Sequence, residues 1–64
     1  MNRNSFIELT HRIYDKYHVN TMFDNSVPKD NGWLIGDEIH MSYQYSNNSI
    51  MYAVWCHEMG HFII

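Results

Sequence analysis

His57 and His61 stand four residues apart, with Glu58 directly after the first of them. On a helix, positions i and i+4 lie one above the other on the same face, so the two imidazoles can converge on one divalent cation. Glu58 then sits where a carboxylate can accept a proton from water polarised by that cation. This H-E-x-x-H arrangement is the one that zinc-dependent peptide hydrolysis uses: two imidazole ligands, a Lewis-acid metal and a general base. His57 and His61 are therefore the candidate metal ligands, Glu58 the candidate catalytic residue and Zn2+ the implied cofactor. The bland alternative is a pair of core histidines hydrogen-bonded within a buried helix. That alternative gives no reason for a carboxylate at position 58.

The motif lies in an apolar stretch running from Ile50 to Ile64. Its flanks are apolar on both sides, which predicts a central, buried helix that presents a site rather than a superficial one. Asn47, Asn48 and Ser49 are available to cap it. Gly60 within that helix costs about 1 kcal/mol against Ala, so another backbone is expected to pass close to it.

The elements that must hold this helix are short. Residues 5–18 read as a helix: Ser5 and Glu8 make a capping-box start, and Phe6, Leu9, Ile13 and Tyr17 form one apolar stripe. Glu8 and Arg12 are spaced to pair across a turn. His11, Asp15 and His18 also share a face, and a solvent-side polar surface explains them without a metal. Val19 to Phe23 is rich in β-formers and predicts a brief extended segment, followed by a loop from Asp24 to Gly32. Residues 33–43 read as a β-hairpin turning at Gly36-Asp37. Alternation there points Ile39, Met41 and Tyr43 to the core and Glu38, His40 and Ser42 away from it. The fold class is α+β: an amphipathic N-terminal helix, a small antiparallel hairpin and a buried C-terminal helix in one domain, residues 1–64.

The chain has 64 residues, 45% of them hydrophobic and 16% aromatic, so it needs a core but is short of chain to enclose one. An exposed apolar surface follows, to be covered by a second copy or by another protein. Four Lys and Arg residues against a net charge of −3 make no basic stripe, which argues against direct nucleic-acid binding. The single Cys56 excludes an internal disulfide and reads as a small buried hydrophobe in a reducing compartment. No apolar leader segment follows the polar start. The terminal apolar run is short and interrupted by His57, Glu58 and His61, so a cytoplasmic protein without a membrane span is expected.

Taken in order, the first helix, a loop ending at Gly32, a strand carrying Glu38-Ile39-His40-Met41 and a helix bearing His57-Glu58-Met59-Gly60-His61-Phe62-Ile63-Ile64 resemble the ImmA/IrrE metallopeptidases. The resemblance covers most of this chain and the first half of that family's domain, and implies a truncated zincin-like fold. It implies that His57 and His61 ligate zinc and that Glu58 is the general base. It also implies that the strand around Ile39 forms an edge on which an extended substrate pairs. Relatives of this kind are cytosolic, are often carried by mobile elements or phage, and several act on helix-turn-helix regulators. The family's third ligand, an acidic residue on a helix downstream of the motif, has no counterpart within these 64 residues. Asp15, Asp37, Glu38 and His40 are the internal residues that a departure from the family fold would have to recruit. Cys56, about 100° around the helix from His57, points elsewhere.

Two other functions are compatible with the same residues. One is a non-catalytic interaction or inhibitor protein that docks its Trp-, Tyr- and Met-rich surface on a partner. The other is a homodimer in which the His pairs of two chains share one zinc.

Overall fold

Asn2 fixes where the chain first becomes regular. In the computed structural model, which describes residues 1–63, the Asn2 side chain accepts a hydrogen bond from the Ser5 N–H at 2.8 Å and caps helix α1, Arg3–Tyr17. The cap is thus Asn2 rather than Ser5; asparagine caps as well as serine, and starting earlier adds two helical residues. The helix ends at His18: its N–H still donates to the Tyr14 carbonyl, and its left-handed backbone (φ 58°) then turns the chain out of the helix. Glu8 and Arg12 pair at 3.0 Å on the exposed side, as their spacing predicts.

Three strands follow: β1 (Asn20–Phe23), β2 (Gly32–Ile35) and β3 (Glu38–Met41). The expected hairpin is present. Gly36 takes φ +60° at the turn, and Ile35 lies opposite Glu38. The extended segment after α1 does more than expected, because β1 pairs in parallel with β3 and places Thr21 beside Ile39 and Phe23 beside Met41. The sheet is therefore mixed, with order β1-β3-β2. That order corrects the expectation of an open edge at Ile39. Strand β3 is central, both its sides are taken, and the free edges belong to β1 and β2.

Alternation along the strands sorts the two faces. Thr21, Phe23, Leu34, Ile39 and Met41 share the face against which both helices pack. Met22, Trp33, Ile35, Glu38 and His40 share the opposite one. The core is formed by Phe6 and Val19, Ile39 and Met41 from β3, and Met51, Trp55 and Met59 from the last helix. Phe6 and Trp55 meet edge to face at 5.6 Å, which ties the two helices together. Tyr43, expected inside, is exposed because β3 ends at Met41 and alternation stops there. Ser42, expected outside, is buried: its N–H donates to Tyr45 Oη and its Oγ accepts from the Gln44 N–H.

Helix α2, Asn48–Ile63, is capped by the Asn47 side chain, which accepts from the Ile50 N–H at 2.9 Å. The expected motif helix reaches Ile64, which lies outside the described residues. Met51, Trp55, Glu58 and Met59 form its buried stripe. The opposite side, with Tyr52, Ala53, Cys56, His57, His61, Phe62 and Ile63, is exposed. An apolar sequence all round predicts burial all round, but a two-layer fold offers α2 only one surface to pack on. Cys56 is consequently exposed, not a core residue. No helix among the described residues is long and apolar enough to cross a membrane.

The close approach expected at Gly60 occurs instead at Gly32. A Cβ on Gly60 would meet nothing within 4 Å, whereas one on Gly32 would lie 2.8 Å from Val54 Cγ1 and 3.2 Å from the His40 carbonyl oxygen. Strand β2 can press against α2 only because position 32 has no side chain. Gly60→Ala is expected to raise stability by up to about 1 kcal/mol. Gly32→Ala should lower it by about 1–3 kcal/mol, since Val54 is stiff at χ1 and the His40 carbonyl belongs to a paired strand. Urea denaturation of the two variants beside the parent chain measures both.

Candidate metal centre

The helical repeat places His57 and His61 on the exposed side of α2. Their Nε2 atoms are 3.1 Å apart, one ring donating to the other, with ring centroids at 4.6 Å and planes nearly perpendicular. Two imidazole nitrogens held at zinc-ligand distance in a tetrahedral arrangement would be about 3.3 Å apart. The separation is thus close to that of two ligands on one zinc ion, although here the two Nε2 atoms face each other across a hydrogen bond.

Glu58 lies on the other side of His57, in the buried stripe. It is only 9% exposed. It lines a cleft of about 390 Å³ whose wall includes Asp30, Asn31 and Gly32 on the β2 side and Val54 and His57 on α2. No described residue hydrogen-bonds its carboxylate, yet no fully buried side-chain oxygen among the described residues lacks a partner, so the group reaches solvent through this cleft. Burying a carboxylate without a partner is costly, and access to water through the cleft offsets that cost. On the opposite flank, Cys56, His57, Gly60 and His61 line a second hollow of about 350 Å³. The His pair therefore forms a ridge between two depressions. Cys56, expected to point away from the pair, borders the same hollow.

The wall of the Glu58 cleft is held by residues that the sequence reading did not single out. Tyr45 Oη donates to the Asn31 carbonyl at 2.6 Å and accepts the Ser42 N–H at 2.9 Å. Asp30, in a left-handed conformation (φ 63°), accepts from the Ser46 hydroxyl at 2.6 Å and the Ser46 N–H at 2.7 Å. Those two bonds, the hydroxyl first, hold its carboxyl below the usual range. The positive φ suits an Asx residue, and an Asp-Asn-Gly run is the local signal from which a shaped turn could have been read.

The two-residue turn makes Ile35 and Glu38 a hydrogen-bonded pair, so alternation makes Trp33 and His40 the next such pair. Gly32 and Leu34 then turn their N–H and C=O groups to the free edge of β2. That edge begins at the cleft occupied by Glu58.

The structure does not bring the other candidate residues to the His pair. Among the described residues no group of three or more His, Cys, Asp or Glu side chains could hold a metal ion. His40 and Glu38 lie on the far face of the sheet, where His40 Nδ1 meets Asp24 Oδ2 at 2.8 Å and its Nε2 meets Glu38 Oε1 at 3.3 Å. Asp37 lies in the β2–β3 turn. His11 and Asp15 line a cavity of about 510 Å³ between α1 and β1, and His18 packs edge-on against Tyr14. None of the H-E-x-x-H residues lines that cavity. Near the His pair the described residues offer two imidazole nitrogens 3.1 Å apart and the carboxylate of Glu58, next to His57 in the chain.

No sequence model of a known family matches this chain, and no curated protein or solved structure is significantly similar to it.

The His40 cluster has its own consequence. Asp24 draws the His40 pKa up, opposed by burial and assisted by Glu38, while Asp24 is held at about 2, first by the Ser26 N–H, then by the Ser26 hydroxyl and then by His40. A histidine whose pKa is raised on folding stabilises the fold fully below its ordinary value of 6.5, and that contribution is lost as pH rises through the raised value. The depressed Asp24 behaves oppositely: its contribution is present above 3.8 and is lost as pH falls toward 2. Stability is therefore expected to decline from mildly acidic to mildly alkaline pH, and His40→Gln should flatten that decline. Denaturation midpoints across this range, with and without the substitution, measure the effect.

Proposed function

We propose that this chain carries the metal-binding half of a zinc metallopeptidase active site resembling that of the ImmA/IrrE family, within a truncated zincin-like fold. The observation that carries this reading is Glu58: a residue nine-tenths buried, whose carboxylate has no hydrogen-bond partner among the described residues and opens into a cleft shared with His57, itself 3.1 Å from His61 between Nε2 atoms. A purely structural helix would not put an ionisable group on its packing side without a partner.

In this reading His57 and His61 would hold Zn2+ through their imidazole nitrogens. Bound zinc supplies Lewis acidity, polarising the scissile carbonyl and acidifying water. Glu58 accepts the proton of the attacking water and passes it to the leaving amine, a transfer that its cleft admits from solvent. An extended substrate pairs with the outward groups of Gly32 and Leu34, which start beside Glu58. That role falls to the β2 edge, since β3 has none. A catalytic site uses three protein ligands, and the described residues supply two, so the third donor comes from outside them. A protein regulator is the substrate class that the resemblance suggests, and an intracellular setting goes with it.

A second reading is favoured by one observation. The exposed side of α2 remains apolar around the His pair, with Phe62 and Ile63 open to solvent. A protein that works by docking this side on a partner needs no third ligand.

Hydrolysis of a peptide library in the presence of zinc separates the two readings. The peptidase reading predicts chelator-sensitive turnover that Glu58→Gln lowers by about 10²–10⁴-fold without loss of fold. Partner binding that survives both chelator and Glu58→Gln, with no turnover under any condition, would leave only the docking protein.

A further inference from the structure

The free edge of β1 and the exposed flank of α1 form one continuous surface away from the His pair. The Asn20 N–H donates to the Asp37 carbonyl and the Asp24 N–H to the Met41 carbonyl, at 2.9 and 2.8 Å. Positions 20, 22 and 24 thus face β3, and alternation turns the N–H and C=O groups of Thr21 and Phe23 outward. No described residue pairs with those four groups through its backbone. Beside this edge, α1 presents Arg3, Ile7 and Tyr14 along one stripe at helical spacing, and Ile7 and Tyr14 are exposed. The surface is also charged in an ordered way. At one end the Arg3 guanidinium lies over the Phe23 ring, 5.0 Å from its centroid. At the other end Asp15 lines the cavity with Asn20 and Thr21 and forms no ion pair with any described residue.

We propose that this surface binds a second copy of the chain, β1 edge to β1 edge, about a two-fold axis at Met22. Antiparallel pairing across that axis sets Thr21 opposite Phe23 of the second copy and Met22 opposite Met22. The four outward groups of each edge then meet in hydrogen-bonded pairs that flank a non-hydrogen-bonded one. The two sheets become one of six strands, and neither copy leaves a β1 edge open. The same axis brings the two α1 helices side by side and covers Ile7 and Tyr14. It carries the Asp15 end of each copy to the Arg3 end of the other, so both unlike-charge contacts form together, as an isologous interface requires. A foreign strand would satisfy the backbone groups equally well. The opposed signs at the two ends are what single out a second copy, because they are self-complementary under this symmetry.

The test is sedimentation equilibrium of the full chain, with chelator present throughout so that metal bridging through the His pair cannot contribute. The parent chain should dimerise. Asp15→Arg and Arg3→Asp should each weaken the dimer by at least about tenfold, and the doubly reversed variant should recover most of the loss. Each single change puts an acid in the first turn of α1 or a base in its last turn, which favours the helix, and circular dichroism verifies the fold. A chain that stays monomeric, or a dimer indifferent to both single changes, would overturn the proposal. So would a monomer whose Thr21 and Phe23 amides gain protection only when an extended peptide is added.

Discussion

Everything about the orientation of α2 follows from Trp55. Its ring packs edge-on against Phe6 of α1, and its Nε1 donates to Thr21 Oγ1 of β1 at 2.9 Å, so one side chain joins both helices to the sheet. A buried indole contributes a large apolar area and also needs a hydrogen-bond partner. Thr21 provides one from the face that alternation turns toward the helices. With Trp55 fixed, the helical repeat leaves no freedom: Met51, Glu58 and Met59 go to the sheet and His57 and His61 to the outside. The geometry of the proposed metal centre is a consequence of a core contact.

That constraint explains why Glu58 and the His pair are treated differently by the fold. The imidazoles lie where a ligand can reach them. The carboxylate lies on the packing side, in the cleft that opens where Gly32 lets β2 approach Val54. In the proposed peptidase reading a general base would gain from such a place, because limited contact with water strengthens its interaction with a cation held nearby. The surrounding anchors are polar and specific: Tyr45 on Asn31 and Asp30 on Ser46 hold the segment that shapes the cleft wall. These hydrogen bonds fix a segment that adds little to the small apolar core.

How much of this was legible in the sequence depended on distance along the chain. The first helix, the Gly36-Asp37 turn and the Asn47 cap are local, and each shows in residues a few positions apart. The H-E-x-x-H spacing is local as well, so the His pair was readable before any fold. The parallel pairing of β1 with β3 was not, because a four-residue strand has no usable period and its partner lies beyond a loop and another strand. Missing it put an edge at Ile39 that does not exist. The exposure of Cys56 was hidden for another reason. A helix apolar on every side carries no pattern to say which side faces the sheet, and only the position of Trp55 decides it. Gly60 was read as the glycine of close approach and Gly32 only as the end of a loop. Which one admits a close approach depends on β2 meeting α2, a tertiary fact.

The central claim is that His57 and His61 act together on one zinc ion with Glu58 beside them. The most direct measurement is a zinc titration of the folded chain followed by the nitrogen resonances of its histidines. The account predicts that the Nε2 signals of His57 and His61 shift together and saturate together, while those of His11, His18 and His40 remain in place. Unchanged His57 and His61 signals at saturating zinc, or zinc taken up at His11, His18 or His40 instead, would contradict it.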